Sequence, residues 1–440
     1  MFDPTTLIAV VILLGVVILV HEWGHFIAAK SFGVRVNVFS IGFGKRLWGW
    51  KRGDTDYRLS ALPLGGYVKM AGDNPMEDRA GAPDEFLSKP RWQRAIIAVA
   101  GPVMNVVLAV VLLIAVFALV GIPVPQYFQS QVEIVGFAKD SPARASGLVA
   151  GDRVVEIAGI QNPTWEQALN ALTRQAGSTA PVRVERGGEV IALPLTVPEA
   201  GRAASALGYA PRAAVVEDVG SGSPASKGGL RSGDHIVSVD GAPIRVWEEF
   251  TEKVLGSEGR PLSLVVDRNG EKVSLEVQPA PTYTESGTIY RVGVSNRIDV
   301  FYRPVAFSQA VTESVETTWF VCRQVVQVVG GLLRGRVSIR ELGGVVEIAA
   351  QSGRAAREGW LTFVNLMVLI SLNLAILNLL PIPILDGGHL LMLAIEGIRR
   401  RDLSLRVKER FVQVGFIFLM VIFAVVMYND ILKRLPKFLP

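Results

Sequence analysis

Hydrophobic positions along this 440-residue chain fall into two regimes. In the first, four runs are apolar on every side, at Leu7 to Ala29, Ala95 to Val120, Leu361 to Leu380 and Phe411 to Tyr428. Each approaches the roughly 20 residues that a helix needs to cross a bilayer core. An isolated segment in lipid satisfies its backbone polar groups only as a helix, so the runs predict four transmembrane helices. Asp3, rather than Lys or Arg, precedes the first run, which continues through a charged motif with no small-residue cleavage site. It therefore reads as a retained helix, 1–30, and not as a signal peptide.

In the second regime, from about Gln126 to Arg297, short alternating stretches are broken by Gly, Pro, Asp and Asn, the pattern of a soluble β-rich region. That region repeats. Ser141-Pro142-Ala143 recurs as Ser223-Pro224-Ala225, Gly151-Asp152 as Gly233-Asp234, and Trp165-Glu166 as Trp247-Glu248. The offset is constant, which predicts a duplicated module in two copies, 126–205 and 206–297. Between Val34 and Met70, alternation around a Gly-rich turn predicts β-hairpins within a membrane-associated region, 31–93. Helical spacing of apolar residues from Pro304 to Leu333 predicts an amphipathic helix, followed by a linker, across 300–360. The remaining spans are placed at 94–121, 361–390 and 410–430.

Composition changes this picture little. Half of the residues are hydrophobic, in keeping with a membrane protein. The net charge of +5 comes from basic residues beside the apolar runs, not from arginine-rich arms with interleaved aromatics, so no nucleic-acid partner is expected. Lys30 and Arg35 follow the first run, Arg91 and Arg94 precede the second, and Arg399 to Arg401 with Arg406, Lys408 and Arg410 separate the third from the fourth. Lys and Arg near helix ends favour the cytoplasm, so these flanks face inward and the repeated modules outward. Lys433, Arg434 and Lys437 oppose that assignment. Cys322 is the single cysteine and excludes an internal disulfide.

Chemistry enters at His21-Glu22-Trp23-Gly24-His25. Residues four apart share a helix face, so both imidazoles can bind one Zn²⁺, with Glu22 placed to take a proton from water. Ionisable groups at membrane depth are costly and are kept mainly for function. A catalytic zinc needs three protein ligands, and Asp386, delivered past Pro381 and Pro383 at the end of the third run, is the candidate. His389 is its rival, or else a hydrogen-bonding support for the site. Asn378 offers an amide to a substrate carbonyl. A peptide-capturing membrane scaffold and a zinc transporter or sensor are the competing function classes, and neither needs Glu22 as a base.

Taken together, HEWGH in a first helix, Asn378-Leu379-Leu380-Pro381-Ile382-Pro383-Ile384-Leu385-Asp386-Gly387-Gly388 in a later one, and the tandem modules resemble the site-2 protease family of intramembrane zinc metalloproteases. Ser40-Ile41-Gly42-Phe43-Gly44, Leu62 to Met70 and Gly101-Pro102-Val103-Met104-Asn105 extend the likeness. Gly344-Val345 departs from it, where such proteins carry Gly-Pro. The resemblance implies zinc on His21, His25 and Asp386, Glu22 as catalytic base, and PDZ-like modules on the periplasmic side of a bacterial inner membrane. It further implies a strand near Gly42, Phe43 and Gly44 that binds substrate at the membrane. The implied substrate is a single-pass membrane protein, such as an anti-sigma factor already trimmed by an upstream protease, or a remnant signal peptide. The expected architecture is a polytopic α-helical membrane protein with four transmembrane helices, a β-hairpin region and two inserted PDZ-like α+β domains.

Overall fold

The structure, a computed structural model, describes residues 3–73, 81–138, 141–199, 203–220, 222–284, 287–335 and 344–434. Lys437 and parts of the expected hairpin region and linker, 74–80 and 336–343, lie outside them. The chain forms two compact units, Met1–Ile122 with Pro304–Pro440, and Pro123–Arg303.

In the first unit, helix α1 (Pro4–Ser31) starts with Asp3 accepting the Thr6 N–H at 2.7 Å and with Pro4 in its first turn. Proline is tolerated there because that N–H has no partner inside the helix. At 28 residues the helix is about 42 Å long, more than a bilayer core requires. It packs on α2 (Arg91–Leu119) through small residues. A Cβ on Gly24 would lie 2.3 Å from the Ala100 carbonyl oxygen, so only glycine permits this approach. Beyond the contact, Ala28, Ala29 and Ile97 close over Val34, Val36 and Met70.

The long strands β1 (Val36–Arg52) and β2 (Thr55–Met70) pair antiparallel. Their register folds the pair upon itself. Phe39 lies opposite Val68 on one side and Tyr57 on the other, while Trp50 also lies opposite Tyr57. The result is a four-ply ribbon whose outer edges are Arg46–Arg52 and Gly66–Met70. Gly42 and Gly44, at φ +89° and +85°, make the bend in β1. At Gly42 a Cβ would also meet the Leu62 carbonyl at 2.7 Å.

Helices α3 (Phe307–Leu333), α4 (Val345–Glu358), α5 (Trp360–Asn378), α6 (Asp386–Arg399) and α7 (Leu405–Arg434) complete the unit. Among the described residues, four helices are long and apolar enough to cross a membrane: α1, α2, α5 and the Arg406–Tyr428 part of α7. Leu113, Phe117, Ala310, Val368 and Leu372 bind α2, α3 and α5 together. The helix α4, in the expected linker, packs on α1, with Gly353 against Thr6.

The 361–390 segment is divided at its two prolines: α5 ends at Asn378, and Asp386, expected just past a helix end, opens the separate helix α6. Pro381 and Pro383 cannot supply the N–H groups that continuation requires. Ile384 is held at φ +83°, a costly conformation for a β-branched residue. Cβ atoms on Gly387 and Gly388 would stand 2.2 and 2.3 Å from the Leu380 and Ile382 carbonyl oxygens. The glycine pair therefore lets the connecting turn fold over the start of α6 and fixes Asp386 there. At its far end α6 is tied by the buried Glu396, which meets Lys408 at 2.7 Å and Arg94 at 3.7 Å.

The second unit contains two four-stranded antiparallel sheets of the same order. One is built from Ile160–Gln161, Arg153–Ile157, Thr179–Arg186 and Glu189–Thr196, the other from Ala242–Pro243, His235–Val239, Leu262–Arg268 and Glu271–Val277. Each is covered by a helix, Trp165–Arg174 or Trp247–Leu255. The duplicated Asp of each module is fully buried and takes an equivalent guanidinium: Arg186 on Asp152 and Arg268 on Asp234, both at 2.7 Å. Each arginine also reaches a glycine carbonyl, Gly147 or Gly229. Buried charge is tolerated because it is paired and fully hydrogen-bonded.

Candidate active site

A cavity of about 450 Å³ opens in the first unit where α1, α2, β2, α5 and the turn before α6 converge. Helical spacing brings His21 and His25 onto one face of α1, with Nε2 atoms 3.3 Å apart. Asp386 completes the group across the bundle. Its Oδ2 is 3.2 Å from His21 Nε2, and its Oδ1 is 3.4 Å from His25 Nε2. The three residues could hold one metal ion.

These separations test the fit to zinc. With bonds of about 2.0 to 2.2 Å, the ligand atoms of a tetrahedral zinc stand roughly 3.3 to 3.5 Å apart. The observed edges of 3.2 to 3.4 Å match, and buried Asp386 Oδ2 has no hydrogen-bond partner to divert it. Two imidazoles and a carboxylate are also a donor set that catalytic zinc favours.

Glu22 lines the same cavity. Its Oε2 accepts the Val68 N–H at 3.1 Å, so the ribbon edge Gly66–Met70 borders the site. A Cβ on Gly66 would come within 3.6 Å of the Glu22 side chain. Asn378, the last residue of α5, places Nδ2 3.1 Å from His21 Nε2. His389 also lines the cavity, one turn into α6 behind Asp386.

Gly42, Phe43 and Gly44 do not line it. They form the bend in β1, and Phe43 stacks, centroids 6.1 Å apart, on Tyr67, which itself lines the cavity. The edge that reaches the site is in β2. Three neighbours have no role assigned from the sequence: the Val68 N–H, the Ile97 carbonyl that accepts from His25 Nδ1 at 2.8 Å, and Asn105, 3.2 Å from His21 Nδ1. The first two are backbone groups and have no signature in residue type. Asn105 does have one, a polar side chain inside an apolar helix.

A family model described as Peptidase family M50 matches residues 9–422. The chain is 35% identical to the regulator of sigma-E protease of Salmonella typhimurium, covering 96% of this chain and 98% of that one. Identity to the regulator of sigma-E protease of Escherichia coli K12 is 34%, with 96% and 97% covered. A Neisseria meningitidis protein whose name includes zinc metalloprotease is 32% identical, with 98% and 99% covered.

Proposed function

The chain belongs to peptidase family M50, a zinc metalloprotease of the site-2 type in a membrane, and from that premise we propose that it cuts single-pass membrane proteins at the cavity between α1 and α6. The observation that carries this reading is the convergence of His21, His25 and Asp386 at 3.2 to 3.4 Å beside the Glu22 carboxylate. His21, His25 and Asp386 are the residues that would hold zinc, with His389 behind them. A zinc ion there supplies Lewis acidity, making water acidic near neutral pH and polarising a peptide carbonyl.

The protein's own groups perform the rest. Glu22 takes a proton from the attacking water and returns it to the leaving amine nitrogen. The Val68 N–H holds that carboxylate in place. The Asn378 amide, 3.1 Å from His21 Nε2, is the group that in this reading donates to a substrate carbonyl oxygen as charge develops on it. A substrate helix has its carbonyls engaged in its own hydrogen bonds and must be extended before attack. The Gly66–Met70 edge offers replacement partners by strand addition, and the bend at Gly42, Phe43 and Gly44 supports it from behind through Tyr67.

In this reading the two sheet-and-helix modules are PDZ-like domains that select substrates without taking part in the chemistry. The protein lies in a bacterial inner membrane, its metal site toward the cytoplasm and the modules in the periplasm. The names of the sigma-E relatives carry a link to sigma-E regulation and no more; the substrate in this reading is of the anti-sigma-factor class, already shortened by an upstream protease. The test is cleavage of a model single-pass segment by purified protein in lipid. Wild type cuts it, and Glu22→Gln keeps its zinc yet loses about 10² to 10⁴ in rate. A Glu22→Gln protein that cleaves normally would overturn the assignment.

A further inference from the structure

We propose that Asn105 is the positioning residue for His21, its carboxamide oxygen accepting the Nδ1 proton so that Nε2 faces the metal with its lone pair free. This rests on the zinc reading above. The geometry is a cradle on one face of α2. Ile97, Gly101 and Asn105 are spaced four apart and so stack along the helix. At the centre, a Cβ on Gly101 would lie 2.3 Å from His25 Nε2 and 2.9 Å from His21 Cε1, so both rings rest against bare backbone. One turn to either side, the helix presents a partner for each Nδ1.

For His25 the partner fixes the tautomer. A backbone carbonyl can only accept, so the Ile97 oxygen at 2.8 Å requires the proton on Nδ1 and leaves Nε2 bare toward Asp386. His21 has the same task, since its Nε2 stands 3.2 Å from Asp386 and 3.3 Å from His25 Nε2. Its Nδ1 lies 3.2 Å from the Asn105 side-chain amide nitrogen, which would force the opposite tautomer and point an N–H into the ligand set. A half-turn of the carboxamide exchanges its nitrogen and oxygen with the heavy-atom positions almost unchanged. It trades one unpartnered amide atom, the buried Oδ1, for another. The count of hydrogen bonds is thus neutral, and the tautomer that zinc requires decides for the oxygen.

The residue is well held for this role. Asn105 is fully buried, and its own carbonyl accepts Ser371 Oγ at 2.8 Å, joining α2 to α5 at the level of the His21 ring. Partners of this kind orient ligating histidines and strengthen them as donors, and their loss costs about 10- to 100-fold in metal affinity.

The experiment is a zinc competition titration against a chelator on the full-length protein in detergent, with the visible spectrum of the cobalt-substituted form as a second readout. Asn105→Leu should weaken zinc by about 10- to 100-fold and alter the cobalt bands. Asn105→Asp should hold zinc at least as tightly as wild type, because a carboxylate only accepts. If Asn105 instead donates to His21, the aspartate variant loses as much affinity as the leucine one, and the proposal is overturned. An unchanged leucine variant also overturns it. Should Asn105→Leu fail to fold, the aspartate variant decides alone. If His21→Ala leaves zinc affinity at the wild-type value, it is the underlying ligand reading that has failed.

Discussion

The backbone N–H of Val68 donates to Glu22 Oε2 at 3.1 Å, so the edge of the β-ribbon and the carboxylate beside the metal ligands are joined by one hydrogen bond. That N–H points away from β1, whose Phe39 lies opposite Val68 on the other side. Proline is tolerated on such an edge because no ladder bond is lost. Val68→Pro should therefore fold and keep its zinc while cleaving about 10²-fold more slowly, since a loosened catalytic group loses its alignment. Val68→Ala, which retains the N–H, should remain near wild type. Equal rates for the two variants, measured on the same model substrate, would show that the bond plays no part.

Metal analysis of purified protein should find about one zinc per chain. His21→Ala, His25→Ala and Asp386→Ala should each lower occupancy sharply, because each removes one corner of the set. Full occupancy in Asp386→Ala would move the third position to His389, one turn further along α6.

Glu396→Gln should release the far end of α6. Glu396 is buried between Arg94 and Lys408, and Glu396→Gln removes the buried negative charge that both cations face there. A loss of about 3 kcal/mol is expected for breaking a buried pair from one side. Because α6 carries Asp386 at its other end, zinc should also leave faster when a chelator is added. A variant with wild-type melting and wild-type zinc release would contradict this coupling.

In the second module, Arg268→Met should destabilise by about 3 kcal/mol, since Asp234 stays fully buried without its guanidinium. Burial alone would raise the Asp234 carboxyl, but the Arg268 guanidinium and the Arg231 N–H outweigh it and hold the group below its ordinary 3.8. A carboxyl lowered in the folded state adds stability that is complete above its unfolded value. That stability drains as pH falls through the folded value. Denaturant titrations of wild type should therefore weaken below about pH 4, and Arg268→Met should show a smaller loss over the same range. Parallel pH curves for the two proteins would refute the linkage.

Much of this protein was legible in residue order. The four apolar runs became helices because lipid leaves an isolated segment no other way to satisfy its backbone. The module repeat appeared because turn glycines and buried aspartates answer to residue type alone. His21, Glu22 and His25 were legible because helical spacing is local. Asp386 was legible in kind, and two prolines marked the break before it, but the shape of the turn that brings it to His21 and His25 depends on tertiary contacts. That turn exists because two prolines and two glycines meet carbonyls that only the folded chain supplies. Gly42, Phe43 and Gly44 are visible in the sequence as a Gly-rich bend, whereas the bordering of the cavity by Gly66–Met70 is not. Strand order within a ribbon is set by long-range pairing, and each strand alone has two equivalent edges. The Val68 N–H and the Ile97 carbonyl were beyond reach for the same reason: every residue but proline carries such groups, and only tertiary structure decides which of them face a carboxylate or an imidazole.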